Sequence, residues 1–400
     1  MPAALITIAE AREIVRSTVR PLGSERVTVD RAFRRVLDED VQASSDVPPF
    51  PCSAMDGYAV KAGPAERTLA VVAEARAGTP SERVLGDGEA IRISTGAPVP
   101  SGAEGVIRQE DVEQEHDAIV TRTATAAGAN VRAAGEDQRA GDSVLRAGAV
   151  LGAPELGAAV SAGAGSLRVR TRPRVAVLCT GDELRAPGEP LAPGQIHNSN
   201  GPMLHALAQR SGADVAPWAV LPDDAQATRD GLASALVQAD VVVVCGGVSV
   251  GPHDHVKPAL ASLGVSERFW GVALQPGRPT WFGERDGRLV FGLPGNPVSA
   301  VVTFTLFVRP ALLAAQGLPA SRRLEPSGRL AVAVARNRKR EQALRVRIER
   351  SDGSLLVTPN GAQDSHLISS LLGADALALI PAGEGELPAG TEVSLEELAS

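Results

Sequence analysis

The sequence predicts a multidomain α/β plus β protein: a central three-layer α/β domain with a mostly parallel sheet, a β-rich inserted domain and a separate C-terminal β domain. Three observations predict it. Between Arg172 and about Gly317, β-branched apolar runs (VAVLC, ADVAPWAVL, VVVVC) alternate with helical segments at Ser199 to Arg210 and Ala225 to Val237, the pattern of a parallel sheet covered by helices on both faces. From about Val41 to Arg139 the texture changes to short β-rich pieces such as TLAVVAEA and GVIRQEDVEQE, punctuated by Gly and Pro. Beyond Gly317 the chain alternates in strand fashion, in LAVAVAR and LRVRIERSDGSLLVTP, with Asp352-Gly353 as a hairpin signal.

In chain order, residues 7 to 20 place Ile8, Ala11, Ile14, Val15 and Val19 at helical spacing behind Thr7 as N-cap, with Glu10 three residues on. A second helix is expected near Pro154 to Ala164, with Pro in its first turn. The expected domains are 1–43 with 140–171 (discontinuous), 44–139, 172–322 and 323–400. A chain of 400 residues is too long for one core. Its three cysteines match no zinc or redox spacing. Cys179 and Cys245 end apolar runs and read as small buried hydrophobes, while Cys52 sits in a Pro-rich loop where solvent can reach it. A formal charge of -7 and few aromatic residues argue against a nucleic-acid partner. Val298 to Val308 is too short for a membrane span and reads as a buried helix. The N-terminus lacks the apolar region of a leader, so the expected location is cytoplasmic.

Five segments place polar residues and glycines where strands should end. CGGVSVGPHDHVK (Cys245 to Lys257) follows VVVV. Its Gly246 and Gly247 let backbone amides approach an anion, with Ser249 beside them, and Asp254 and Lys257 lie about one helical turn apart. CTGDEL (Cys179 to Leu184) crowds Asp182 and Glu183 beside Gly181, which suits a divalent metal or an acid and base pair; a solvated turn is the bland alternative. LPDD (Leu221 to Asp224) offers Asp223 beside an ordinary helix cap. QPGRPTWFG and FGLPGNPVSAVVTF supply Arg278, Pro294, Asn296, Ser299 and the amides of a new helix, an oxyanion corner. PPFPCSAMDGYAV carries Asp56, which an ordinary turn would also explain. The HDH of 253–255 does not make a metal site, since consecutive side chains diverge. Asn198 and Asn200 of QIHNSN are better placed as ligand hydrogen-bonders.

Together these segments resemble the molybdopterin molybdenumtransferase family, relatives of one domain of the scaffold protein gephyrin. PFPCSAMDGYAV, ISTGAPVPSGAEGVIRQED, RAAGEDQRAGD, VAVLCTGDEL, IHNSNGPML, GGVSVGPHDHVK and GLPGNPVSAVVTF stand in the family's order, nearly end to end. The resemblance implies four domains with a molybdopterin-binding α/β domain and a C-terminal β-barrel-like domain. It further implies an elongated homodimer whose cleft lies between the third domain of one subunit and the second of the other. By motif position, Asp56 and Asp137 are the implied cleft acids from across the dimer, with Glu183, Asp223, Asp254 and Lys257 as their counterparts. Gly181, Asp182, Asn198, Asn200, Gly246, Gly247, Ser249, Arg278, Pro294, Asn296 and Ser299 are the implied substrate-binding set. Where the family has KPGKP this chain reads QPGRP, keeping a cation at Arg278 and losing one at Gln275.

The implied reaction inserts molybdenum from molybdate into adenylylated molybdopterin and releases AMP. Molybdate must shed oxygen as water, which calls for proton donors, and mutual repulsion among clustered carboxylates would hold some of them protonated. Cleaving the phosphoanhydride calls for Mg²⁺, expected on Asp223 and Asp254. Arg278, Ser249 and Ser299 would hold the oxyanion and Lys257 the substrate phosphates. The implied partners are a second copy of the chain, a molybdopterin adenylyltransferase and apo-molybdoenzymes, with no nucleic acid and no membrane. Two other readings stand beside this one: the adenylyltransferase of the preceding step, and a non-catalytic scaffold protein.

Overall fold

The computed structural model describes residues 5–248, 254–319, 327–351 and 353–398. They form two compact units, Arg26–Val169 and a unit made of Met1–Glu25 with Arg170–Ser400.

In the larger unit, the helices and strands that follow are numbered as they occur. Helix α1 (Ile8–Thr18) opens with the expected capping box: the Glu10 amide donates to the Thr7 hydroxyl at 3.1 Å, and the Thr7 amide to the Glu10 carboxylate at 2.7 Å. It was expected to share a domain with 140–171. Instead its buried face, Ile8, Ala11 and Val15, joins the core of the α/β sheet.

The sheet has seven strands: β1 (Arg174–Thr180), β2 (Asp214–Val215), β3 (Ala219–Leu221), β4 (Val241–Cys245), β5 (Ser266–Trp270), β6 (Trp281–Arg285) and β7 (Arg288–Leu293). Strands β2 and β3 both run parallel to β1, then β4 and β7 continue in parallel. Strand β6 pairs antiparallel with β7, and the edge strand β5 antiparallel with β6. The run ADVAPWAVL, expected as one strand, is split into β2 and β3 around Ala216-Pro217-Trp218, because proline cannot donate to a ladder.

All five residues of β4 are buried. Alternation explains why none is polar. Val241, Val243 and Cys245 face one core with α1, α2 (Asn200–Arg210) and α5 (Pro297–Thr303), whereas Val242 and Val244 face a second core with α3 (Ala225–Gln238) and α4 (Val256–Ser262). These are the three layers the sequence predicted. Cys52, Cys179 and Cys245 are free thiols and all buried, so Cys52 is not accessible as its Pro-rich context suggested.

Beyond α5 the helical path passes through a π-turn, Phe304–Val308, into Arg309–Ala315 and stops at Gly317 with φ 74°. This stretch, Pro297–Ala315, is long and apolar enough to cross a membrane, yet 78% of it is buried within the fold. The C-terminal part closes into a five-stranded barrel. Glu341–Ser351 pairs with Ser354–Pro359 in a hairpin, and the ring continues through Ser327–Leu330, Glu392–Glu397 and Ala376–Ile380 back to Glu341–Ser351. Asp352 of the expected turn lies outside the described residues. The LAVAVAR alternation is interrupted, giving Ser327–Leu330 and a separate pair, Val334–Ala335.

The smaller unit carries a six-stranded sheet in the order Gly105–Arg108, Gly57–Val60, Glu89–Ile93, Thr68–Ala75, Ala118–Thr121, Val112–Glu115. A second core in that unit gathers Leu37, Val41, Leu151, Leu167 and Val169 around the helix Ala153–Ser161.

Candidate active site

Four of the motif segments leave the sheet at one edge. In register, Thr180 pairs with Leu221, Cys179 with Cys245 and Cys245 with Leu293, so TGDE, LPDD, the Gly246-Gly247 turn and PGN emerge side by side at the carboxyl ends of parallel strands. Gly246 and Gly247 adopt φ 92° and 62°, and a Cβ on either would approach the Thr180 hydroxyl to 2.8 or 2.9 Å. Only glycine allows this turn to lie against β1.

The first two acidic loops are locked together. The Asp223 amide donates to the Asp182 carboxylate at 3.0 Å, and the Asp182 amide to the Asp223 carboxylate at 3.4 Å. Asp224, the second acid of LPDD, accepts from the Ala227 amide at 2.8 Å and caps α3. Asp182, Glu183 and Asp223 are exposed at the edge. Asn198 is buried and accepts from the Gly201 amide at 2.9 Å. Asn200 donates to the Gly295 carbonyl at 2.6 Å and meets the Cys245 thiol at 3.2 Å, tying the HNSN loop to the PGN loop. Beneath them Cys179 and Cys245 share a hydrogen bond that draws the Cys179 thiol below its ordinary pKa and pushes Cys245 above it.

Asp254 lies two residues before α4, and both its carboxylate oxygens are buried without a well-formed hydrogen bond. Burial raises its pKa to about 6, against the opposing pull of Lys257, the Val256 amide, His255 and the Lys257 amide. The cause is therefore desolvation, not the repulsion between carboxylates expected from the sequence. Lys257 sits in the first turn of α4 with its ammonium 4.5 Å from the centroid of the Trp270 ring. The Trp270 indole donates to the Val248 carbonyl at 3.1 Å, which joins β5 to the glycine turn. Ser249 and His253 lie outside the described residues.

The oxyanion corner differs from its sequence expectation. Pro297 has no amide hydrogen and the Val298 amide donates to the Ser365 carbonyl at 3.2 Å, so the first turn of α5 is not a row of free donors. Ser299 is buried. Asn296 donates to the Ser365 hydroxyl at 2.8 Å. Ser365 belongs to a loop held by Arg345, whose fully buried guanidinium donates to the Ala362 and Gln363 carbonyls at 3.1 Å, to the Asp364 carbonyl at 3.4 Å and to the Ser370 hydroxyl at 3.1 Å. Burial lowers the Arg345 pKa to about 10. Arg278 is exposed, with its side chain available to an anion. Gln275 accepts from the Asn337 side chain at 2.6 Å, so the residue replacing a lysine braces the loop against the C-terminal region.

In the smaller unit, Asp56 is exposed and accepts from the Thr95 amide at 2.8 Å, the local turn its Asp-Gly sequence suggested. Gly57 behind it is obligatory, since a Cβ would collide with the Ile107 carbonyl. Asp137 is exposed and shares a shallow pocket with Val47, Pro48, Cys52, Arg132 and Glu136.

Comparison with known proteins extends across all of these segments. Three family models match in order: the MoeA N-terminal region (domain I and II) over residues 6–163, the probable molybdopterin binding domain over 176–314, and the MoeA C-terminal region (domain IV) over 327–398. The molybdopterin molybdenumtransferase 2 of Mycobacterium tuberculosis is 36% identical over 98% of this chain and 99% of its own. The chain belongs to the molybdopterin molybdenumtransferase family. The Haemophilus influenzae molybdopterin molybdenumtransferase is 33% identical, covering 98% of each chain. A crystal structure of the molybdopterin biosynthesis moea protein from Pyrococcus horikosii superposes with a TM-score of 0.80 at 32% identity, covering 99% of this chain and 100% of that one.

Trp270, Arg345 and Ser365 were not found by motif reading of this family member. Each acts through another residue and belongs to an edge strand, a barrel strand or an irregular loop without its own signature. Among the described residues no group of three or more His, Cys, Asp or Glu side chains converges as a metal site. The donor set fits Mg²⁺ nonetheless, because that ion is usually held by one or two carboxylates with water and phosphate oxygens. The orphaned oxygens of Asp254 are the observation that makes room for it.

Proposed function

We propose that this chain transfers molybdenum from molybdate into adenylylated molybdopterin, releasing AMP and active molybdenum cofactor, in the cytoplasm and as a homodimer. The observation that carries the reading is the convergence of TGDE, LPDD, the glycine turn and PGN at one edge of a parallel sheet, in a chain matched end to end by its family. In this reading Gly246 and Gly247 lend amides to the substrate phosphates, Lys257 neutralises them, and Arg278 with Ser299 and Ser249 holds the molybdate. Gly181, Asp182, Asn198, Asn200, Pro294 and Asn296 shape the pocket for the pterin and its adenylate. Asp254, as a buried acid with a pKa near neutrality, hands a proton to a molybdate oxygen that leaves as water. Glu183 and Asp223 are assigned to the same site from the loops after β1 and β3 at that carboxyl edge, and Asp56 and Asp137 are assigned to the same cleft from the second subunit. Mg²⁺ held by Asp223, and by Asp254 once its proton has been handed on, would supply Lewis acidity to the phosphoanhydride. A molybdopterin adenylyltransferase and apo-molybdoenzymes are the proposed upstream and downstream partners.

The test is AMP release from adenylylated molybdopterin by the purified chain with Mg²⁺, with and without molybdate. Molybdate-dependent release that activates an apo-molybdoenzyme is the expected result, and Asp254→Asn should lower it by about 10²–10⁴-fold. Adenylyl transfer from ATP to molybdopterin without molybdate would replace this reading by that of the preceding enzyme. Tight substrate binding with no release would point to a scaffold.

A further inference from the structure

Strand β5 is antiparallel to β6, and β6 to β7, so β5 ends at the same edge of the sheet as the parallel strands. Its last residue, Trp270, stands in one row with Trp281, Gly292 and Val244, just before Cys245 and the glycine turn. Val244, Trp281 and Trp270 of that row pack with Val248 and Val256 in the core beneath α4. Gly292 leaves a gap in the row, where a Cβ would come within 2.6 Å of the Val248 side chain. The turn folds back over that gap, and the Val248 carbonyl receives the Trp270 indole N–H at 3.1 Å. Lys257, next to buried Val256, lays its ammonium over the same ring at 4.5 Å from the centroid. Asp254, three residues earlier, attracts this ammonium without a well-formed hydrogen bond.

We propose that Trp270 is a positioning residue, which holds the Lys257 ammonium on its ring face and the glycine turn on its indole N–H, so that both meet the substrate phosphates in fixed relation. The inference rests on the assignment of Lys257 and that turn to those phosphates. Lysine carries its charge on a long flexible stem, and fixing it in place costs side-chain entropy that a prior contact has already met. A carboxylate could restrain it as well, but would neutralise it and have to be displaced. An aromatic face attracts the cation through its quadrupole alone, leaving the charge and the ammonium donors on the open side for phosphate.

The test replaces Trp270 site-specifically by mono-, di- and trifluorotryptophan, which keep the shape and the N–H while making the ring face less negative. AMP is titrated into the full chain by calorimetry, with Lys257→Met as reference. Affinity should fall with each fluorine, by about threefold to fivefold for the last, at an unchanged unfolding temperature. In Lys257→Met the same series should change nothing. The chain has three lysines, Lys61, Lys257 and Lys339, so reductive ¹³C-methylation gives few resonances, and the ring should move that of Lys257 upfield. No trend with fluorination, a trend that persists in Lys257→Met, a gain in affinity, or an unshifted Lys257 resonance overturns the proposal. AMP affinity equal in Lys257→Met and the parent, with the resonance still shifted, would instead remove the phosphate assignment on which the proposal stands, and the proposal with it.

Discussion

The carboxyl edge of the central sheet and the C-terminal barrel belong to one compact unit yet divide the work differently. At the edge, Asp182, Glu183 and Asp223 are exposed on short loops, and Asp182 and Asp223 each accept from the other's backbone amide. In the barrel, Arg345 is buried with no carboxylate bonded to it and spends its hydrogen bonds on backbone carbonyls and one hydroxyl. The edge displays chemistry, while the barrel fixes a loop. The connection between them is Ser365, which engages both Asn296 and the Val298 amide of the PGN corner.

The largest expected effect would break that comparison at the barrel. Arg345→Met removes a buried cation and leaves several inward-facing acceptors without donors, at a cost of about 3–5 kcal/mol in denaturant unfolding. Arg345→Lys should recover only part, because one ammonium cannot reproduce the planar fork. A loss below about 1 kcal/mol for Arg345→Met would show that water replaces the clamp and that the 362–365 loop needs no anchor. Ser365→Ala sharpens the point. It should raise KM for molybdate with little change in unfolding midpoint if the loop positions the oxyanion corner, and change neither if the contact is only packing.

A smaller effect belongs to the edge. Asp254 has a pKa of about 6 in the fold against an ordinary 3.8, so it contributes stability in its protonated form. That contribution is complete below the unfolded pKa and is lost as pH rises through 6. Asp254→Asn cannot ionise, and should therefore be more stable than the parent at pH 8 by about 1–2 kcal/mol, reduced by solvent screening of a half-exposed group, and equal to it near pH 4. The same titration predicts that metal insertion slows as pH rises through 6. A pH-independent difference between the two proteins would place the carboxylate in water.

Much of this division was legible in the sequence because β4 and its neighbours carry an unbroken apolar code. VVVVC can only be a strand buried on both faces, and the polar residues just beyond such strands must lie at one edge. Asp182, Asp223, Gly246 and Gly247 were readable for that reason. The first turn of α5 was misread as free donors, since nothing in PGNPVS shows that Ser365, far along the chain, takes the Val298 amide. Arg345 was invisible in LRVRIER, where alternation puts Arg345 and Arg347 together on the face opposite Leu344, Val346 and Ile348, and so reads both as solvent-facing. That some of the clustered carboxylates would be held protonated was expected, but neither that Asp254 would be one nor that burial would be the cause, because burial depends on packing that spacing cannot show.

The smallest effect separates two adjacent acids. LPDD has one carboxylate more than a helix cap requires, and the structure divides the pair: Asp224 caps α3 through the Ala227 amide, while Asp223 turns to Asp182. Asp224→Ala should therefore cost about 1 kcal/mol of stability, the usual penalty for a lost N-cap, with turnover nearly unchanged. Asp223→Ala should have the opposite profile, a lowered rate of AMP release with a smaller change in unfolding. Because the two substitutions are neighbours of identical chemistry, charge removal and loop composition are matched between them. If both lowered turnover equally, the strand-end loop would act as one rigid acidic patch. If neither did, the carboxylates at this edge would be structural, and the assignment of Asp223 to the reaction would be lost.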